Sequence, residues 1–179
     1  TSLLPSGYPG FKIYPEGDRE EYFPVKYVQP YSGNEHILGY DLGSEALRRD
    51  AFERARDTGK PAATRRISLM RDTGKEEPSF LICMPIYQKG APVSTVKERR
   101  AALMGFVDSV FRMKDLLSRI FSKEALHPKI DFEVFDGSVS RENLLYGEHD
   151  ILRGLDSRLK ARFVAERTIS VADMGWILH

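Results

Sequence analysis

The chain is nearly devoid of cysteine. Cys83 is the single one among 179 residues, so no internal disulfide can form, and a zinc centre built on several thiolates is excluded. No apolar run approaches the ~18–20 residues that a membrane span needs, and no secretory leader pattern is present. Neither sign of charge is in excess, with 27 Lys and Arg against 26 Asp and Glu, which removes the electrostatic case for nucleic acid or an anionic membrane as a partner. The four histidines, His36, His127, His149 and His179, lie without metal-ligand spacing, and His149-Asp150 has no nucleophile tied to it. A glycine-rich phosphate loop is also missing, because Gly39-Tyr40-Asp41-Leu42-Gly43 lacks the lysine that such a loop requires. Two Asp-Thr-Gly triplets, at Asp57 and Asp72, sit in polar surroundings suited to a helix end and a hairpin turn, not on the apolar loops of a protease dyad. No catalytic set, metal or cofactor is expected, and a hydrolase lacks its machinery.

What is present is enough chain to bury a core without staples. The opening prolines and glycines read as loop. Residues 11–14 and 22–31 read as extended segments, the second limited to an edge by Pro24 and Pro30. From Ser44 to Thr58 the pattern is helical: Ser44 is placed to cap, Leu47, Ala51, Phe52 and Ala55 form an apolar face, and Gly59 supplies the left-handed stop. Residues 62–70 and 79–87 read as antiparallel strands of a hairpin. The second is so apolar that both its faces should be covered, or one should line a cavity. Residues 89–98 read as loop, 101–111 as a strand, and Met113, Leu116, Leu117, Ile120 and Phe121 as one face of a helix. Beyond His127-Pro128 the chain alternates like an antiparallel sheet, with strands expected over 130–135, 142–146, 160–168 and through Trp176. The fold class is α+β, divided into 1–125 and 126–179.

A helix crossing an antiparallel sheet leaves a recess lined by apolar side chains with a few polar ones. The residues expected to face it are Tyr40, Arg48, Phe52, Thr64, Met70, Cys83 and Phe106. Arg48 or Arg49 could meet an anion in bidentate fashion. Phe52, Met70 and Phe106 are more often plain core, Cys83 more often a small buried hydrophobe, and runs such as Arg48-Arg49 and Arg99-Arg100 more often solvated faces. Thr64 is the best polar candidate, since a hydroxyl on a half-buried strand needs a partner.

Six blocks occur in order: Glu21-Tyr22-Phe23-Pro24-Val25, Leu38-Gly39-Tyr40-Asp41-Leu42, Arg48-Arg49 with Ala51, Ala55-Arg56-Asp57-Thr58-Gly59-Lys60, Met84-Pro85-Ile86-Tyr87 and Val96-Lys97-Glu98-Arg99. Together they resemble the CHASE family, the extracytoplasmic sensory domains of histidine kinases and nucleotide cyclases, over residues 9–121. The resemblance implies a long stalk helix in the parent, followed by two tandem PAS-like subdomains with antiparallel sheets and the ligand in the first, membrane-distal one. Set beside the plant cytokinin receptors of that family, Thr64 falls at a threonine important for sensing, Phe106 at a pocket tyrosine and Cys83 at a pocket threonine. Arg48 falls at the aspartate that binds the adenine ring. A guanidinium in place of that carboxylate reverses the preference of the wall, so adenine-type cytokinins are not expected to bind in the plant mode.

The chain begins at Thr1 and ends on an apolar segment, as expected of a piece excised from a longer, membrane-anchored protein. The expected function is a periplasmic or extracellular sensor, homodimeric in its parent, with a small-molecule ligand, acidic if Arg48 faces the pocket. The rival is a structural or protein-interaction module that signals through partner contact. A packed interior around Thr64 and Phe106 favours the rival, an open polar-tipped pocket the sensor.

Overall fold

The computed structural model describes residues 11–69, 77–120, 132–147 and 165–179. Within them the chain is α+β, with two antiparallel sheets. The first sheet is built from β1 (Ala62–Ala63), β2 (Ile67–Ser68), β3 (Pro78–Tyr87) and β4 (Leu103–Arg112). β3 pairs along its length with β4 on one side and with both short strands on the other. The second sheet contains β5 (Glu133–Asp136), β6 (Leu144–Gly147), β7 (Arg167–Val171) and β8 (Met174–Leu178), in the order β6-β5-β8-β7. Three α-helices accompany them among the described residues: α1 (Ala46–Thr58), α2 (Val96–Ala102) and α3 (Met113–Ile120).

Alternation along β3 gives it two roles. Leu81 and Cys83 point toward α1, where they join Tyr40, Leu42, Ala51, Phe52, Ala55, Ala62 and Ile67 in one core. Phe80 points the other way, into a second core with Met113, Leu117, Val134, Leu145 and Trp176. Its ring stacks on Phe111 at 5.0 Å and meets Trp176 edge-on at 4.7 Å. The expectation that an apolar β3 is covered on both faces therefore holds for its first half only. Met84 and Ile86 are exposed, together with Met104, Val107 and Val110 of β4.

The segment before α1 is organised by hydrogen bonds to turns, not by strands. Residues 11–14 and 22–31 contribute only isolated bridges, Tyr14 to Tyr40 and Pro24 to Asp41. Gly39 is the crossing point: its N–H donates to Val25 O at 2.8 Å and its carbonyl accepts from Tyr14 N–H at 3.0 Å. At φ +83° a Cβ would lie 2.1 Å from Lys12 O, so only glycine fits. Asp41, fully buried, follows. Its Oδ1 accepts from Phe23 N–H at 2.7 Å and Gly43 N–H at 3.0 Å, and Arg19 Nη1 lies 3.4 Å from Oδ2.

Local readings need correction at four places. Ser44 does not cap α1; it ends a 3₁₀ turn, Leu42–Ser44, capped by Asp41, and Glu45 precedes the helix without a side-chain cap bond. Residues 96–102 are helix, not loop and strand, because Thr95 and Glu98 close a capping box: Thr95 Oγ1 accepts Glu98 N–H at 3.2 Å and Glu98 Oε2 accepts Thr95 N–H at 2.8 Å. The strand expected over 62–70 breaks into β1 and β2, since Ala63, Arg65 and Arg66 are drawn toward carboxylates of the C-terminal region. The strand expected over 160–168 begins at Arg167, with 160–164 outside the described residues. Met70, Asp72 and the boundary between 125 and 126 also lie outside them.

Replacing Asp41 with alanine leaves the part-buried amide of Phe23 and the buried amide of Gly43 without acceptors. Each such orphaned group costs about 1–3 kcal/mol. Urea unfolding of Asp41→Ala is expected to show a loss of about 2–4 kcal/mol, whereas Glu53→Gln on the exposed side of α1 leaves the midpoint nearly unchanged.

Candidate functional site

Helix α1 places its inward side chains at Arg48, Ala51, Phe52, Ala55 and Arg56, all buried and at helical spacing. Phe52 meets Phe106 of β4 at 4.7 Å and Phe23 at 5.4 Å, and Phe23 meets Phe106 edge-on at 5.4 Å. This aromatic trio fills the middle of the space between helix and sheet. Of the residues expected to face the recess, Tyr40, Arg48, Phe52, Cys83 and Phe106 gather here.

Arg48 is 3% exposed. Its Nη2 donates to Ser68 O at 3.2 Å, Nη1 lies 3.3 Å from Glu45 Oε1, and the guanidinium sits 5.8 Å over the Tyr40 ring. Its Nε is buried with no partner. The Tyr40 hydroxyl donates to the same Glu45 carboxylate, and burial followed by that bond pushes the phenol above its usual range. Thr64 is placed differently. Its hydroxyl accepts from Leu81 N–H at 3.0 Å while its own N–H donates to Leu81 O at 2.8 Å, so the partner its position requires is β3 backbone.

Cys83 is fully buried, and burial, helped by the Asp108 charge, pushes its thiol up to about 12. Asp108 stands directly opposite Cys83 in the β3–β4 register. Burial raises its carboxyl above the usual range, with Arg48 working in the other direction. The sequence reading missed Asp108 because one acid in an alternating strand looks like an outward polar position; only the register turns it inward.

Of the arginine runs, Arg48, Arg49 and Arg99 are drawn into the structure, while Arg100 keeps an exposed side chain. Arg49 Nε donates to Gly43 O at 2.7 Å and its Nη2 to Glu21 O at 3.0 Å. At the far end of α1, Arg99 Nε donates to Asp57 O at 2.7 Å and Tyr87 OH to Arg56 O at 2.6 Å, satisfying carbonyls that the helix leaves open. Arg100 and Arg56 both pair with the Asp57 carboxylate and hold it well below its ordinary range, with the Arg100 hydrogen bond the largest cause.

Two carboxylates of the C-terminal region reach back to the stretch that holds Thr64. Asp173, in the β7–β8 turn, accepts from Ala63 N–H at 2.9 Å and pairs with Arg54 of α1. Asp136, at the end of β5, accepts from Arg66 N–H at 2.9 Å and Arg65 Nη1 at 3.2 Å. Two open clefts lie elsewhere, one of about 430 Å³ beside Ile13 to Tyr22, the other of about 540 Å³ between Arg112, Lys114 and Leu144 to Gly147. Among the described residues no group of three or more His, Cys, Asp or Glu could hold a metal ion.

A family model of the CHASE domain matches residues 4–146. The chain belongs to the CHASE family. Hybrid signal transduction histidine kinase A of Dictyostelium discoideum is 27% identical over 137 residues, covering 74% of this chain and 6% of that protein. Probable histidine kinase 4 of Oryza sativa subsp. japonica is 29% identical over 126 residues, 70% of this chain and 12% of that protein. Probable histidine kinase 5 of the same rice is 28% identical over 126 residues, 70% of this chain and 10% of that protein. The chain thus spans roughly a tenth of the length of these relatives. As a CHASE domain it is a sensory domain of signalling receptors.

Two measurements check the chemistry of this CHASE domain. A buried thiol held near 12 is protected both by access and by protonation. Cys83 is therefore expected to react with a disulfide reagent at pH 8 at least about a hundredfold more slowly in native protein than in urea. Asp57 ionises more readily folded than unfolded, so its contribution is complete above the unfolded value of about 4 and is lost as pH falls through the depressed folded value. Urea midpoints of wild type and Asp57→Asn are expected to differ at pH 7 and to converge below about pH 4.

Proposed function

We propose that this CHASE domain is the extracytoplasmic ligand-binding sensor of a membrane-bound receptor of the histidine kinase or diguanylate cyclase type, homodimeric in its parent. The ligand site is the recess between α1 and the first sheet, at Tyr40, Arg48, Phe52, Cys83 and Phe106, with Thr64 fixing the strand beneath it. The observation that carries the reading is Arg48: a guanidinium almost wholly removed from water, with one donor left unused beside a half-buried carboxylate. A buried donor without a partner is costly, and a ligand acceptor would offset that cost. Two tandem PAS-like units behind a stalk helix agree with the two sheets. A periplasmic or extracellular location follows from the family's role; among the described residues no helix is long and apolar enough to cross a membrane. An arginine at this wall argues against adenine-type cytokinins as ligands.

The signal would leave the recess through α1. A ligand that favours one placement of α1 acts on Arg54, and through Asp173 and Ala63 on the second sheet. The shift cannot exceed the ligand's difference in affinity between the two states.

A second reading has its own support. The aromatic trio is in contact and the Thr64 hydroxyl is engaged by β3 backbone, as a domain without a small-molecule site would have it. The exposed apolar residues Met84, Ile86, Met104 and Val107 of the first sheet offer a surface to a protein partner.

Native mass spectrometry and thermal shift against carboxylates, amino acids, purines and aromatic acids separate the two readings. The sensor reading expects a retained small molecule, or one chemical class raising Tm with the logarithm of its concentration above Kd, and loss of that rise in Arg48→Gln. A folded protein that responds to none of them, while Met84→Lys or Val107→Lys abolishes signalling by the full receptor, would establish the partner-contact reading.

A further inference from the structure

The inference concerns the ligand's chemistry and rests on the recess being a ligand site. Asp108 faces the same side of the sheet as Cys83 and Phe106, because antiparallel partners and alternate residues share a face. It is half-buried, and among the described residues its carboxylate enters no hydrogen bond and no ion pair. The Arg48 charge reaches it without contact. Arg48 has two of its nitrogens engaged, one with Ser68 O and one with Glu45, and keeps Nε free in a buried position. Opposite charges that do not touch, neither fully satisfied, form an unfilled pair of anchors. An anion alone would meet Arg48 and be repelled by Asp108; a cation alone would meet the reverse. Phe23, Phe52 and Phe106 supply an apolar wall beside the two anchors.

We propose that the recess takes a small zwitterion with an apolar body, its ammonium on Asp108, its carboxylate on Arg48 Nε and its side chain against Phe23, Phe52 and Phe106. This corrects the purely acidic ligand that Arg48 by itself suggests. An apolar α-amino acid has the required groups, and Tyr40 and Glu45 hold Arg48 in place.

Calorimetry on the purified domain with the common L-amino acids, their deaminated acids and their decarboxylated amines tests this, with Asp108→Asn and Arg48→Gln as variants. The expected result is that an apolar amino acid binds at least about tenfold tighter than either analogue. Asp108→Asn is expected to lose that advantage while keeping or improving the acid's binding. Removing an unpaired half-buried charge is also expected to raise Tm of the ligand-free domain. An acid that binds as tightly as its amino acid, lost in Arg48→Gln but not in Asp108→Asn, would overturn the zwitterion and leave the site standing. No binding from any of the three series would overturn the zwitterion as well. A lowered Tm in ligand-free Asp108→Asn would make Asp108 a structural residue and, with that silence, remove the recess as a site.

Discussion

The first half of this molecule depends on the burial of one carboxylate. Asp41 ties the amides of Phe23 and Gly43, while the backbone on either side of it bonds to Tyr14, Val25 and Phe23. Segments with almost no regular strand are thereby fixed against the start of α1. A charge in that position is expensive unless its bonds are complete. Two amide donors and the neighbouring Arg19 make it tolerable, and the turn it stabilises delivers both Tyr40 and Glu45 to Arg48.

The six blocks that suggested the family become physically intelligible around α1. Glu21 to Val25 and Leu38 to Leu42 hold its N-terminal end, through Arg49 and Gly43. Tyr87 and Arg99, from two other blocks, close the carbonyls at its C-terminal end. The shared residues therefore largely describe how a helix is held over a sheet. The groups suited to meeting a ligand, Arg48 and Asp108, sit among them with bonds to spare.

Much of the fold could be read from residue pattern. The face of α1, the stop at Gly59, the length of β3 and the start of α3 at Met113 all follow from periodicity and one left-handed glycine. α2 was equally legible, since Thr95 and Glu98 have the spacing of a capping box, but the surrounding Gly, Pro and Ser residues read more strongly as loop. The pieces that escaped were set by distant partners. Asp108 acquires its direction from pairing with Cys83, and the break between β1 and β2 arises from Asp136 and Asp173, 70 and 110 residues away from the amides they bind. Arg48 and Arg99 look like surface charge until their carbonyl partners are located.

That last pair of carboxylates also bears on how the protein is made. Ribosomal synthesis delivers α1 and the first sheet well before Asp173, which lies in the turn between β7 and β8. Until that hairpin emerges, the amide of Ala63 and the guanidinium of Arg54 lack the acceptor they share in the finished protein. The nascent α1 and first sheet can collapse, but they cannot lock. Closing so long a loop is slow relative to local helix formation, so residues synthesised later act as the latch for structure laid down much earlier.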